Sequence, residues 1–343
     1  MKTPPPVTEP RPKRGCYWTA LIVVLVMLIF SVMINVGLLL GSAFKGERVA
    51  IQAGTKPVDE YPQFTTRWSY GRGEQVVVRI PLQGIIMREP EGGFLVPRID
   101  RVQLTLNRIR AARNDDRVRG IILEVDSPGG AVTPSDEIYN ALRQFRESAP
   151  DRRILVFSRD INASGAYYAS MAGDWLMAEP TAIVGSIGVM IQTLNWHELS
   201  DRIGVRDLTI KSGETKDILN PFRDVSEREL HILQDLVDAL YDRFATLVQE
   251  SRGFEDFHLA RIADGRVMTT EDALREELID EIGYWDDAVA RMARLLDVPS
   301  VRVVRYERRP DWSDWFTAMR SPGFRLPFLL EQDHPHLLYL WRP

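Results

Sequence analysis

The chain has 343 residues, 45% of them hydrophobic and 27% charged, and a formal net charge of −5. That length and apolar content exclude a disordered or disulfide-stapled chain and suit one large domain or two ordinary ones. The mild acidity gives no basic field for nucleic acid, and the single cysteine, Cys16, excludes an internal disulfide framework, a CxxC pair or a zinc knuckle.

Residues 1–16 are polar, carry Pro4, Pro5, Pro6 and Pro10, and read as a disordered tail. Residues 17–44 hold no charge at all. As a helix they would span roughly 42 Å, more than a ~30 Å hydrocarbon core requires, so they are expected to be a transmembrane anchor. A cleaved signal peptide is the competing reading, but its apolar region is usually only ~7–15 residues. Lys2, Arg11, Lys13 and Arg14 precede the span, while Glu47 offsets Lys45 and Arg48 after it. The positive-inside rule then puts the tail in the cytoplasm and the body outside it, on a single-pass inner- or plasma-membrane protein.

Residues 45–74 look like a linker that turns into a loop. Strands are expected at 75–80, 119–125, 153–157, 175–178, 187–192 and 205–210. Helices are expected at 100–113, 134–147, from Ser164, at 195–203 and at 226–251, the last opened by a capping box at Ser226 and Glu229. Strands alternating with helices imply an α/β fold, a mostly parallel sheet flanked by helices, over 75–305. Residues 306–343 have Trp312, Trp315, Phe316 and other aromatic residues without a clear period. They are expected to pack as an arm on their own or a neighbouring subunit, with membrane-surface contact as the alternative.

The five histidines, His197, His231, His258, His334 and His336, have no triad-like surroundings and read as surface or packing residues. There is no HExxH, GxSxG or GxxxxGK[ST], so no metal or cofactor is expected. Four other segments have unusual residue types. Asp126-Ser127-Pro128-Gly129-Gly130 follows a buried strand and can present backbone N–H groups as an oxyanion hole, or can simply be a tight turn. Ser164, among small residues at a helix start, suits a nucleophile or an N-cap. Gly185-Ser186-Ile187-Gly188 is weak alone. The fourth segment contains Lys211 and Lys216. Of the 43 basic residues, only six are lysines, and these two are the only ones after residue 56. A serine hydrolase without histidine needs another base, and a desolvated neutral lysine can serve where arginine cannot.

In order and approximate spacing, these four segments resemble those of the signal peptide peptidase SppA family. The resemblance runs over about residues 75–290, including 224–253 and 265–283. It implies a Clp protease/crotonase-like fold and a membrane-anchored serine endopeptidase with a Ser/Lys dyad. Residue by residue, it implies Ser164 as nucleophile, Lys216 as general base rather than the runner-up Lys211, Ser186 as the serine that orients the base, and the N–H groups of Gly130 and Gly165 as the oxyanion hole. Ala166 and Glu277 depart from positions where the family usually has glycine. With one copy of the domain, the chain resembles the short form, whose members assemble into homo-oligomeric rings and draw serine and lysine from neighbouring subunits. The implied substrates are remnant signal peptides and other short apolar peptides, and the bilayer is the partner of 17–44. Two rivals are a crotonase-type acyl-CoA enzyme, which would not need Ser164 and Lys216 together, and a non-catalytic membrane scaffold.

Overall fold

In the computed structural model, residues 23–35, 64–88, 100–308 and 338–340 are described. The chain divides into two units, Met1–Glu60 and Tyr61–Pro343. In the first, residues 23–35 form helix α1 with exposed side chains, and Asn35 returns its side-chain N–H to the Ser31 carbonyl at 2.7 Å. No described helix is long and apolar enough to cross a membrane. The remainder of the expected 17–44 anchor, the 1–16 tail and most of the 306–343 arm lie outside the described residues.

The second unit is built on one sheet. Seven of its nine strands are β1 (Phe64–Tyr70), β2 (Gln75–Gln83), β3 (Val118–Ser127), β5 (Arg153–Ala163), β6 (Trp175–Ala178), β9 (Glu281–Ile282) and β10 (Val301–Arg308), in the order β1-β10-β2-β3-β5-β6-β9. Along this order every pairing from β10 to β9 is parallel, and β1 pairs antiparallel at the edge. This mixed α/β sheet fits the expected Clp protease/crotonase-like fold. Side chains alternate between its faces, as the two-residue strand period dictates. Ile121, Leu123 and Val125 of β3 enter one core with α2 (Arg101–Asn114), α3 (Val132–Glu147) and α6 (Glu227–Arg252). Ile122, Leu155 and Phe157 enter the other, under α9 (Trp285–Leu295).

Three local readings change. Residues 64–70, expected as loop, are β1, whose partner β10 was not foreseen. The strand expected at 187–192 lies earlier, as β7 (Ile183–Gly185), because positive φ at Ser186 ends the ladder. Residues 205–210 form no strand, and Leu208 and Ile210 are 88% and 94% exposed. Among the described residues, no strand pairs with them.

Two details position the site. β5 is long enough to change partners, pairing first with β6 and then, from Ile161 to Ala163, with β7. β7 in turn pairs antiparallel with β8 (Val267–Thr269). The short β4 (Gly129–Ala131) lies just past the end of β3, bridged to Ile86.

Candidate active site

Ser164 stands between the end of β5 and the start of helix α4 (Gly165–Ser170). Its φ is 55° and its ψ −120°. A side-chain-bearing residue held there costs of order 1–3 kcal/mol, so the surroundings must impose the conformation. They do so through hydrogen bonds. Ser164 N–H donates to the Gly185 carbonyl at 2.8 Å, and its own carbonyl accepts from Tyr168 N–H at 2.8 Å, opening α4. Two residues earlier, buried Asn162 donates to the Ser158 and Ser170 hydroxyls at 2.9 and 3.0 Å, tying strand to helix. Every residue of α4 is buried, and Ser164 itself is 1% exposed.

Ser186 is placed in the same way. Ala163 is the register partner of Gly185, so Ser164 and Ser186 each follow the last rung of adjacent parallel strands. Ser186 also has positive φ, 53°, and its N–H donates to the Arg266 carbonyl at 2.7 Å. The structure therefore brings the two serines to one end of one strand pair. Asn162 and the antiparallel partner strand β8 were missed by sequence reasoning. A polar residue at the buried end of an apolar strand was the available signal for Asn162.

Gly130 and Gly165 are the glycines expected to offer backbone N–H groups. As first residue of α4, Gly165 has no carbonyl one helical turn earlier to receive its N–H. Gly130 must be glycine, because a Cβ there would stand 2.1 Å from the Ile86 carbonyl oxygen. The turn before it is fixed by Ser127, whose hydroxyl donates to the Gly84 carbonyl at 2.6 Å and accepts from Gly129 N–H at 3.1 Å. α4 is in contact with β4, so the two glycines belong to one neighbourhood.

The lysines lie in a different setting. Residues 212–219 are a chain of turns on an exposed surface. Lys211 is committed: its ammonium donates to the Glu214 carbonyl at 2.8 Å and to Asp217 Oδ1 at 2.6 Å. Arg223 and Lys211 hold the Asp217 carboxyl well below the usual carboxylate range. Arg223, aided by Ser226 N–H, also holds Glu229 down at about 2, and the Ser226–Glu229 capping box closes the frame. Lys216 is exposed and its ammonium makes no hydrogen bond or ion pair to a described residue. The structure thus separates the two candidates, but among the described residues no hydrogen bond joins Lys216 to Ser164. Among the described residues, no cluster of histidine, cysteine, aspartate or glutamate could hold a metal ion.

The model of peptidase family S49 matches residues 147–299, a stretch that holds Ser164, Ser186 and Lys216 and begins after Gly130. A Methanocaldococcus jannaschii protein that carries a protease name is 30% identical over 286 residues, 83% of this chain and 85% of the relative. An Enterococcus faecium protein assigned by name to signal peptide peptidase SppA is 31% identical over 237 residues, 69% and 68% of the two chains. The chloroplastic serine protease SPPA of Arabidopsis thaliana is 28% identical over 261 residues, 74% of this chain and 38% of that one.

Proposed function

The chain belongs to peptidase family S49, the SppA family, and is a serine peptidase; from that premise we propose that it cleaves short apolar peptides, remnant signal peptides among them, with Ser164 as nucleophile and Lys216 as base. The observation that carries this reading is the imposed geometry of Ser164. It has a positive-φ backbone at the carboxyl end of a parallel strand, unpaired helix N–H groups beside it and a second positive-φ serine on the next strand.

Neutral Lys216 takes the hydroxyl proton as Ser164 Oγ attacks the peptide carbonyl carbon, forming the C–O bond and an oxyanion. The N–H groups of Gly130 and Gly165 receive that oxyanion. Lys216 returns the proton to the leaving amine as the C–N bond breaks. Water, deprotonated by the same lysine, then attacks the ester, releasing the acid and restoring Ser164. Ser186 orients the lysine amine.

A neutral base requires a desolvated lysine, yet Lys216 is exposed in the single chain. A second copy resolves this. The surface between α5 (His197–Ile203) and α6, which bears Lys216, also exposes Ile203, Leu208, Ile210 and Phe222. Exposed apolar residues in such concentration mark an interface. The proposed assembly buries this face on a neighbouring protomer and delivers Lys216 to that protomer's Ser164. The uncharged stretch 17–44, whose middle is the exposed apolar helix α1, anchors the enzyme in the membrane with its body outside the cytoplasm.

The test is hydrolysis of apolar peptides by the full chain in detergent, beside Ser164→Ala and Lys216→Arg, with mass spectrometry after a serine-directed phosphonate. Both variants are expected to lose at least about a thousandfold in kcat/KM, with label on Ser164 alone in the parent. Full activity in either variant, or label elsewhere, contradicts the dyad.

A further inference from the structure

β5 does not run straight to Ser164. Its register with β3 breaks between the pairs Val125–Ser158 and Ser127–Asn162, so Arg159, Asp160 and Ile161 stand against the single residue Asp126. A bulge bends its strand and re-aims the side chains beyond it. Here the bend falls where β5 leaves β6, at the rung Ser158–Ala178, and takes up β7, at the rung Ile161–Ile183. The active-site pairing depends on that step. Only beyond it does Ala163 lie opposite Gly185, which sets Ser164 and Ser186 side by side.

Side chains close the bulge on both faces of the sheet. Toward α4, Asn162 reaches back across it to the Ser158 hydroxyl at 2.9 Å. Toward α9, Arg159 donates from within the bulge to Glu124 Oε1 on β3 at 3.1 Å. Its Nε stands 3.5 Å from Oε1 of Glu179, the residue just past β6. Glu124 is 2% exposed, in the otherwise apolar run Ile121-Ile122-Leu123-Glu124-Val125. A carboxylate so buried has to be paired. Arg79 on β2 grips it with bonds of 2.7 and 2.5 Å, and the Arg79 guanidinium lies 4.4 Å from the Trp285 ring centroid. Glu124 thus has its own partner without Arg159, whose side chain is half exposed and adds little to the core. What Arg159 adds is a fixed span from β3, across the bulge, to the end of β6. None of these hydrogen bonds reaches Ser164, Ser186 or Gly130.

We propose that Arg159 and Glu124 are positioning residues for the peptidase reaction, holding the β5 bulge in the one shape that presents Ser164 to a substrate carbonyl. The inference rests on the reading of Ser164 as nucleophile given above. The experiment compares the full chain in detergent micelles with Arg159→Ala, Arg159→Lys, Glu124→Gln and the double variant Arg159→Ala/Glu124→Gln. The readouts are kcat and KM for an apolar fluorogenic peptide, the rate of phosphonate labelling at Ser164, native mass and the urea unfolding midpoint. Arg159→Ala is expected to lower kcat and the labelling rate about tenfold, less than the roughly hundredfold cost of misplacing a reacting group by about 1 Å. KM and native mass should stay at the parent's values. Arg159→Lys, which keeps a cation beside Glu124, should recover most of the loss. The double variant should lose no more than the worse single one, because the two residues act as a unit. The half-exposed Arg159 decides the matter even where Glu124→Gln fails to fold. Parent-like kcat and labelling in Arg159→Ala, with or without a lower unfolding midpoint, would overturn the proposal and leave the active-site reading intact. A raised KM at unchanged kcat would assign the pair to peptide binding and overturn it as well. Absence of label at Ser164 in the parent would overturn the active-site reading, and this inference with it.

Discussion

The serine end and the lysine end of the proposed site are built by opposite means. Around Ser164, the residue's own N–H and carbonyl are tied to β7 and α4, and the strained φ is held by a buried frame. Around Lys216 there is no sheet, the apolar residues point outward, and ion pairs among Lys211, Asp217, Arg223 and Glu229 hold the turns together. The contrast teaches that a nucleophile which must be strained needs its own core behind it. A base that must be desolvated can ride on a face left unfinished until a second copy covers it.

The sharpest way to break that comparison is at the unfinished face. Ile210→Asp together with Leu208→Asp is expected to reduce the native mass to that of one protomer and to lower kcat/KM by at least about a hundredfold. The unfolding midpoint of the protomer should hardly move, because both side chains are already in water. Native mass spectrometry and a peptide assay check this, and an active monomer would dissolve the distinction. At the serine end the pattern should reverse. Asn162→Ala leaves two buried hydroxyls without their donor and should cost about 1–3 kcal/mol in urea unfolding, with loss of activity but unchanged native mass.

The smallest expected effect concerns pH. Glu229 has its carboxyl depressed from 4.5 to about 2 when folded, so its pairing with Arg223 stabilises fully above the unfolded value and fades as pH falls toward the folded one. Glu229→Gln should therefore be less stable than the parent at pH 7, and the gap should close between about pH 4.5 and 2 in acid-dependent urea unfolding. A constant gap across that window would deny the ion pair its role.

Much of the fold was legible because its signals are local. β6 at 175–178, α3 and α6 followed from apolar period, and the capping box at Ser226 marked the start of α6 correctly. What was not legible depends on distant partners. Residues 187–192 alternate like a strand, but β5 ends at Ala163 and the ladder closes at Gly185. Residues 205–210 alternate too, and among the described residues no strand pairs with them. β1 escaped notice because its sequence exposes most of its residues and depends on β10, more than two hundred residues away. At the site, residue types alone singled out Ser164 and the two lysines, whereas the network of Asn162 needed coordinates.

The most direct test of the central claim, that one protomer's serine works with another's lysine, is complementation. Ser164→Ala and Lys216→Ala chains, each inactive alone, are co-expressed and purified as mixed oligomers carrying different tags. The account predicts that the mixture regains part of the parent's peptidase activity, because some sites pair an intact Ser164 with an intact Lys216 from the neighbour. Mixed oligomers that form and stay inactive would contradict it.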